Sequence, residues 1–236
     1  MRLIILFPLL LIFSACSQFE SVPVPLTTLE NNTTSHPQPE EPVSEEPETH
    51  EKLIFIEMDW DSHSENAYQW SVWTYEALEE LGGDLLAQRP SDVLEFCATY
   101  DELDLEEKKM FWIRLISVMT RYESFFDPSV QYQEAFDDQN GDPIVSRGLL
   151  QLSIESGRGY GCELENEQAL HDPKTNLRCG VRILNRWIGR DGVISLKDGT
   201  TWKGGARYWA VLRTYESKDH VANVKARTQL AEVCQP

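Results

Sequence analysis

The 236-residue sequence has no C-x-x-C pair and no H-E-x-x-H segment, and three of its five histidines precede residue 65. Zinc sites are built from such clusters, so no resident metal is expected, and no motif calls for a cofactor. No apolar run reaches the roughly 20 residues of a spanning helix. The longest, Leu3 to Phe13, has 11. Positive charge is scarce, with 21 Lys and Arg against 39 Asp and Glu and a formal charge of −18. A nucleic-acid binder of this size is basic overall, so that class is disfavoured. No internal repeat is evident. With 41% hydrophobic and 10% aromatic residues, the composition argues against wholesale disorder, collagen-like repeats and a coiled coil.

What is present divides the chain unevenly. Met1-Arg2, the apolar run and Ser14-Ala15-Cys16 describe a secretory signal over residues 1–15. The Phe-Ser-Ala-Cys ending resembles a bacterial lipoprotein signal, although Phe13 stands where Leu is usual. Cys16 would then be lipidated and become the first mature residue, anchoring the exported chain to a membrane. The absence of Asp after it favours the outer membrane, periplasmic side; the plainer alternative is a secretory signal with an incidental cysteine. Residues 16–52 form an acidic, Pro-rich tether: from residue 17 onward they hold eight Glu, no Asp, one Lys and six Pro. Such a segment buries too little apolar surface to offset its conformational entropy. Trp and Tyr lie after residue 55, and residues 53–236 are long enough for one sizeable core.

Cys97, Cys162, Cys179 and Cys234 remain in that domain. An even count in an exported chain favours two disulfides, with three possible pairings. Cys162–Cys179, closing a short loop, and Cys97–Cys234, tying the chain end to an early helix, are the expected ones. Residues 143–236 carry 14 Lys and Arg against 10 Asp and Glu, unlike the strongly acidic stretch before them. This locally basic part is suited to an anionic polymer.

Periodicity predicts a mainly helical (α+β) domain. Aromatic and aliphatic residues recur at helical spacing from Glu65 to Leu81, where Gly82-Gly83 stops the helix. A short helix is expected over Asp92–Tyr100. The strongest helix runs from Asp104 to about Glu123, opened by Asp104-Leu105-Glu106-Glu107, which resembles a capping box. Asp172-Pro173 opens another through Trp187, ended by Gly189 and Gly192. Further helices are expected over Ala206–Thr214 and Asp219–Val233. The Asp137–Pro143 stretch is turn chemistry at a hairpin tip. A calcium loop is disfavoured there, because Pro143 and Leu149 occupy the positions that need Gly and Glu.

The chemically informative segment is Thr120-Arg121-Tyr122-Glu123-Ser124-Phe125-Phe126-Asp127-Pro128. Helical steps back from Glu123 reach Met119 or Thr120, Ile116 and Trp112, so the carboxylate continues an apolar face. Burial and the helix C-terminus then both raise its pKa, as a general acid requires. The alternative is a frayed helix end with Glu123 in water.

Three later segments accompany it: Ser146-Arg147-Gly148-Leu149-Leu150-Gln151-Leu152-Ser153; Asn176-Leu177-Arg178-Cys179-Gly180-Val181-Arg182-Ile183-Leu184, with Gly180 open to a close backbone approach; and Arg207-Tyr208-Trp209 on a later helix. In this order they resemble the SLT-type lytic transglycosylases of the goose-lysozyme-like group, over about residues 105–215. That family has Glu-Ser with a downstream Pro, a Gly-Leu-Met-Gln-like turn, an Asn-x-x-x-Gly-x-x-x-Leu helix and Ala-Tyr-Asn. The sequence departs in placing Trp209 at the last Asn and in a Tyr132–Ile144 insertion, read as a hairpin beside the cleft. Plain helix packing is the alternative for Tyr208 and Trp209.

The resemblance implies a lysozyme-like helical domain with a small β-hairpin beside its cleft, acting on peptidoglycan glycan strands; a monomer is expected. It implies Glu123 as catalytic acid and Ser124, Ser146, Gln151 and Tyr208 as substrate-binding residues. The implied reaction cleaves between N-acetylmuramic acid and N-acetylglucosamine to leave a 1,6-anhydro end. A hydrolytic lysozyme using Glu134 or Asp137 as second carboxylate is the runner-up. A non-catalytic wall-binding lipoprotein is the third reading.

Overall fold

The computed structural model describes residues 58–215 and 218–236. The signal, Cys16, the tether and the apolar Leu53–Ile56 run lie outside the described residues.

A helix α1, Ala67–Leu81, turns at Gly82 into the short α2, Gly83–Ala87. The expected helix over 92–100 is instead two single 3-10 turns, Val93–Glu95 and Tyr100–Glu102. Cys97 is fixed between them by its disulfide to Cys234. The central helix α3, Leu105–Glu123, begins at the full capping box: Asp104 accepts from the Glu107 N–H, and Glu107 accepts from the Asp104 N–H. Every residue from Phe111 to Thr120 is buried. A helix buried on all sides must be wrapped on all sides, and α1, α2 and the C-terminal helix supply the wrapping.

An antiparallel hairpin follows, β1 Gln131–Asp137 and β2 Pro143–Arg147, with its tip where the turn residues place it. A short α4, Ile154–Gly159, was not expected. The long α5, Pro173–Asp191, is capped by Asp172 accepting from the Thr175 N–H and ends at Gly192 in the left-handed region. Gly189 does not end it but lies inside it, facing Asp84.

Next come β3, Ser195–Asp198, and β4, Thr201–Gly204, a second hairpin absent from the helical expectation. The predicted helix over 206–214 is likewise corrected. It is two 3-10 turns, Gly205–Arg207 and Ala210–Leu212, leading into β5, Thr214–Tyr215, which pairs with β6, Lys218–Asp219. The last helix, α6, stops at His220–Thr228, and a 3-10 turn Glu232–Cys234 completes the chain.

Two devices close this core. Asp59, 7% exposed, sits among three guanidiniums, pairing with Arg121, with Arg227 at 3.1 Å and with Arg114 at 3.6 Å. Both expected disulfides are formed, spanning 137 residues for Cys97–Cys234 and 17 for Cys162–Cys179. The fold is mainly α with small antiparallel strand pairs.

Candidate active site

Glu123 is the last residue of α3, so its position depends on how the helix ends. Ser124 donates its N–H to the Thr120 carbonyl at 3.0 Å, and then Phe125 and Phe126 both take positive φ, 51° and 66°. Two consecutive left-handed residues without glycine are costly and persist only when packing imposes them. Phe126 is buried, with the His63 ring at 4.6 Å and the Arg121 guanidinium at 5.0 Å. Beyond it, His171 donates from Nδ1 to the Pro128 carbonyl at 2.8 Å. The helix end is therefore locked rather than frayed.

The 148–151 turn is held as firmly. Gly148 has φ +74°, and a Cβ there would lie 2.1 Å from the Leu170 carbonyl oxygen and 2.4 Å from Asn176 Nδ2. Asn176, fully buried on α5, accepts from the Leu150 N–H at 2.9 Å and donates to the carbonyls of Arg147 and Leu170 at 3.0 and 2.8 Å. One turn further along, Gly180 leaves room for the Leu150 side chain, whose Cδ1 would be 2.2 Å from an added Cβ. The close approach expected at Gly180 is thus made by a side chain, not by a backbone. Trp209 donates its indole N–H to the Leu150 carbonyl at 3.0 Å, and Ser124 donates Oγ to that of Leu149 at 3.0 Å. The sequence segments singled out above all converge on this one turn.

Between α3, the turn and the first hairpin lies a cleft of about 340 Å³. It is not the largest hollow among the described residues, since two others reach about 640 and 530 Å³. Its chemistry sets it apart. Glu123, Ser146, Gln151 and Tyr208 all line it. Ser124 does not: it is 6% exposed, with its hydroxyl committed to the Leu149 and Thr120 carbonyls, so it staples the helix end to the turn. The expectation of substrate contact at Ser124 is corrected accordingly. Asp137 is exposed on its strand and does not line the cleft, whereas Glu134 does.

Glu134 is the one residue of β1 that is not exposed. The strand register shifts between Gln133 and Asp137, and such an irregularity re-aims a side chain. Ser146 on β2 donates Oγ to Glu134 Oε1 at 2.6 Å. Glu123 keeps a partly accessible surface toward the cleft, yet protein surrounds its carboxyl closely enough to raise its pKa to about 8. Burial is the main cause, the negative charge of Glu134 adds to it, and Arg213 opposes it. At neutral pH the group is mostly protonated.

Arg213 had no signal in the sequence. Its guanidinium donates to the carbonyls of Ala206 at 2.7 Å and Arg207 at 2.9 Å and to the Tyr215 hydroxyl at 3.4 Å, and it forms no ion pair among the described residues. Gln151, at φ +48°, donates Nε2 to the carbonyls of Gly148 and Val130 at 2.8 and 3.1 Å, which leaves its side-chain oxygen to accept. Tyr208 accepts from the Ser153 N–H at 3.4 Å, and burial raises its pKa to about 12, so it remains a phenol. Among the described residues no group of His, Cys, Asp and Glu is arranged to hold a metal ion.

The family model of the transglycosylase SLT domain matches residues 103–224. Among solved structures, the wild-type protein Bd0314 DslA in its form 2 is 42% identical, with a TM-score of 0.74, over 78% of this chain and 100% of that one. Two variants of that protein, each with a glutamate changed to glutamine, at positions eleven residues apart, match at 41% identity over the same shares, with TM-scores of 0.74 and 0.73. No curated protein matches. Because the matched span takes in α3, the 148–151 turn, α5 and Tyr208, the elements that shape the cleft, the chain belongs to the transglycosylase SLT domain family.

Proposed function

We propose that this chain cleaves peptidoglycan glycan strands between N-acetylmuramic acid and N-acetylglucosamine, with Glu123 as the general acid. The observation that carries this is the buried carboxyl at the end of α3, held protonated at neutral pH yet open to a cleft. Glu123 gives its proton to the glycosidic oxygen as the bond to the muramyl C1 breaks. In the transglycosylase route, the muramyl C6 hydroxyl oxygen then bonds to C1 and its proton returns to Glu123, leaving a 1,6-anhydro end. Gln151 accepts from a sugar amide N–H, and the Tyr208 phenol donates to the sugar or to Glu123. Export and lipidation at Cys16 complete the reading, placing the domain beside the wall.

A specific observation supports hydrolysis as a second reading. Glu134 lines the same cleft and lies eleven residues after Glu123, the spacing of the two glutamates replaced in the DslA variants. An ionised Glu134 would take a proton from water as its oxygen bonds to C1. Digestion of purified sacculi followed by product mass analysis separates the routes, since reducing ends are heavier than anhydro ends by one water. Release of soluble fragments that vanishes with Glu123→Gln supports the proposal. Full release by that variant would remove it.

A further inference from the structure

The two disulfides differ in access. Cys97 and Cys234 are 0% and 2% exposed, so their bond is sealed in the core. Cys179 is as deeply buried, but its partner Cys162 is only half-buried, and both line a hollow of about 200 Å³. A small reagent therefore has a path to the second bond.

That bond fastens one wall of the cleft. Ser153, the cap of α4, and Ser156 within it line the cleft with Tyr208, and the Ser153 N–H donates to the Tyr208 hydroxyl at 3.4 Å. Tyr160, just after α4, meets Tyr208 edge-on at 6.0 Å. A helix of six residues does not hold itself in water. Many of its bonds stay inside the same segment: Arg158 donates to the carbonyls of Leu164 and Glu165, and the Cys162 N–H to that of Gly157. Outward, Ile154 and Leu164 reach the core, and Tyr160 accepts from the Trp187 indole N–H at 2.7 Å. The disulfide is the covalent tie, and α4 runs so close to it that a Cβ on Gly157 would lie 3.4 Å from Cys179 Sγ. Trp187 and Cys179 both stand on α5, so this wall is moored to one helix. The end of α3 that carries Glu123 is held separately, by buried Phe126 and by Ser124 on the Leu149 carbonyl.

We propose that the Cys162–Cys179 bond is a reducible latch on cleavage: a dithiol opens it, the α4 wall loosens, and the chain loses rate until the bond is remade. The inference rests on the glycan-cleaving reading for the activity it controls. One thiolate of the reductant attacks the Cys162 sulfur, the S–S bond breaks, and Cys179 leaves as a thiolate that takes up a proton. The second thiol of the reductant then displaces Cys162 as a thiol and closes the reductant's own disulfide. Two electrons and two protons pass to the protein. With α4 untied, Tyr208 loses the Ser153 N–H and the Tyr160 ring that aim its phenol, while Glu123 keeps its place.

The test uses the full chain in graded dithiothreitol. Free thiols are alkylated and mapped by mass spectrometry, release of soluble fragments from sacculi is timed, and the Glu123→Gln chain is titrated with a GlcNAc–MurNAc tetrasaccharide. Cys162 and Cys179 should be alkylated at concentrations that leave Cys97 and Cys234 bonded, with a cooperative melting transition kept at a lower temperature. Release should fall about tenfold, with the alkaline limb of the pH–rate profile in place, and return on reoxidation. Tetrasaccharide binding should weaken over the same range of reductant. Cys162→Ala with Cys179→Ala should show the lowered rate and no response to dithiothreitol. Resistance of Cys162–Cys179 to the reagent, prior opening of Cys97–Cys234, or unchanged rate and affinity after alkylation overturns the proposal. So does a rate lost only together with the melting transition. If the oxidised wild type releases nothing while reduction still weakens tetrasaccharide binding, the cleavage reading falls and the latch stands.

Discussion

Glu123 ends a helix in which ten consecutive residues are buried, whereas Glu134 stands on a strand with six of seven residues exposed. The two carboxylates share one cleft but come from opposite kinds of scaffold. The first is set by the core: capping box, positive-φ phenylalanines and the Asn176 clamp leave the helix end nowhere else to go. The second is set by a local irregularity in a surface hairpin and a single serine hydroxyl. On the proposed function, a site built this way fixes its acid through the core and leaves the second carboxylate to the hairpin.

The sharpest way to break the comparison is at the core-borne acid. Glu123→Gln should lower the release of soluble fragments from sacculi about a thousandfold, the scale of a lost general acid. The same variant should gain stability. Glu123 has a folded-state pKa of about 8 against an ordinary 4.5, so the folded chain holds a proton that the unfolded chain releases between those values. Wild-type stability therefore declines as pH rises from about 4.5 to about 8. Above that range Glu123→Gln should be more stable by up to about 5 kcal/mol, a difference that closes toward pH 4.5 in urea titrations.

Gly148→Ala tests the clamp. Its Cβ would meet the Leu170 carbonyl and Asn176 inside a positive-φ turn, which should cost about 3 kcal/mol in denaturant midpoint measurements and displace Gln151 with a parallel loss of activity. Glu134→Gln, on the exposed hairpin, should leave the melting temperature nearly unchanged. If water is the acceptor, reducing ends should fall about tenfold or more, and anhydro ends should make up the remaining product. A variant that releases the wild-type product mixture at the wild-type rate would confine Glu134 to electrostatics.

Core-borne features were legible in the sequence because they follow from periodicity and capping. Asp104 with Glu107, Asp172 with Pro173, and the buried steps Trp112, Ile116 and Thr120 behind Glu123 each depend on residues within a turn or two. The 206–214 stretch was misread for the opposite reason. Its apolar residues suit a helix, but Gly204-Gly205, the bond from Trp209 to the distant Leu150 carbonyl and the fold-back of Arg213 onto the Ala206 carbonyl break it into turns. The β3–β4 hairpin carried a signal in Gly199, the first of its two loop residues and at positive φ, within a segment of mixed polarity. Glu134 was visible only as one of two hairpin acids, since the register shift that turns it inward leaves no mark on composition. Ser124 was expected at the substrate from the resemblance alone, and its bond to the Leu149 carbonyl, 25 residues on, follows from no local pattern.

The smallest expected effect is the most discriminating, because Arg213 and Glu134 act on Glu123 with opposite signs. Removing the cation in Arg213→Gln leaves burial and Glu134 unopposed, so the pKa of Glu123 rises and the alkaline limb of the pH–rate profile moves to higher pH. Removing the anion in Glu134→Gln moves it to lower pH. Each displacement should be under about one pH unit, since both charges face a cleft that admits water and salt. At pH 7 Glu123 is already mostly protonated, so Arg213→Gln gains nothing there. It should instead lose part of its plateau rate, because the carboxylate formed as the proton departs has no cation beside it. If Arg213 serves only to tie the Ala206 and Arg207 carbonyls together, the rate falls at every pH and the limb stays in place. A displaced limb with a lowered plateau requires the charge itself, and the double variant should return the limb close to the wild-type position.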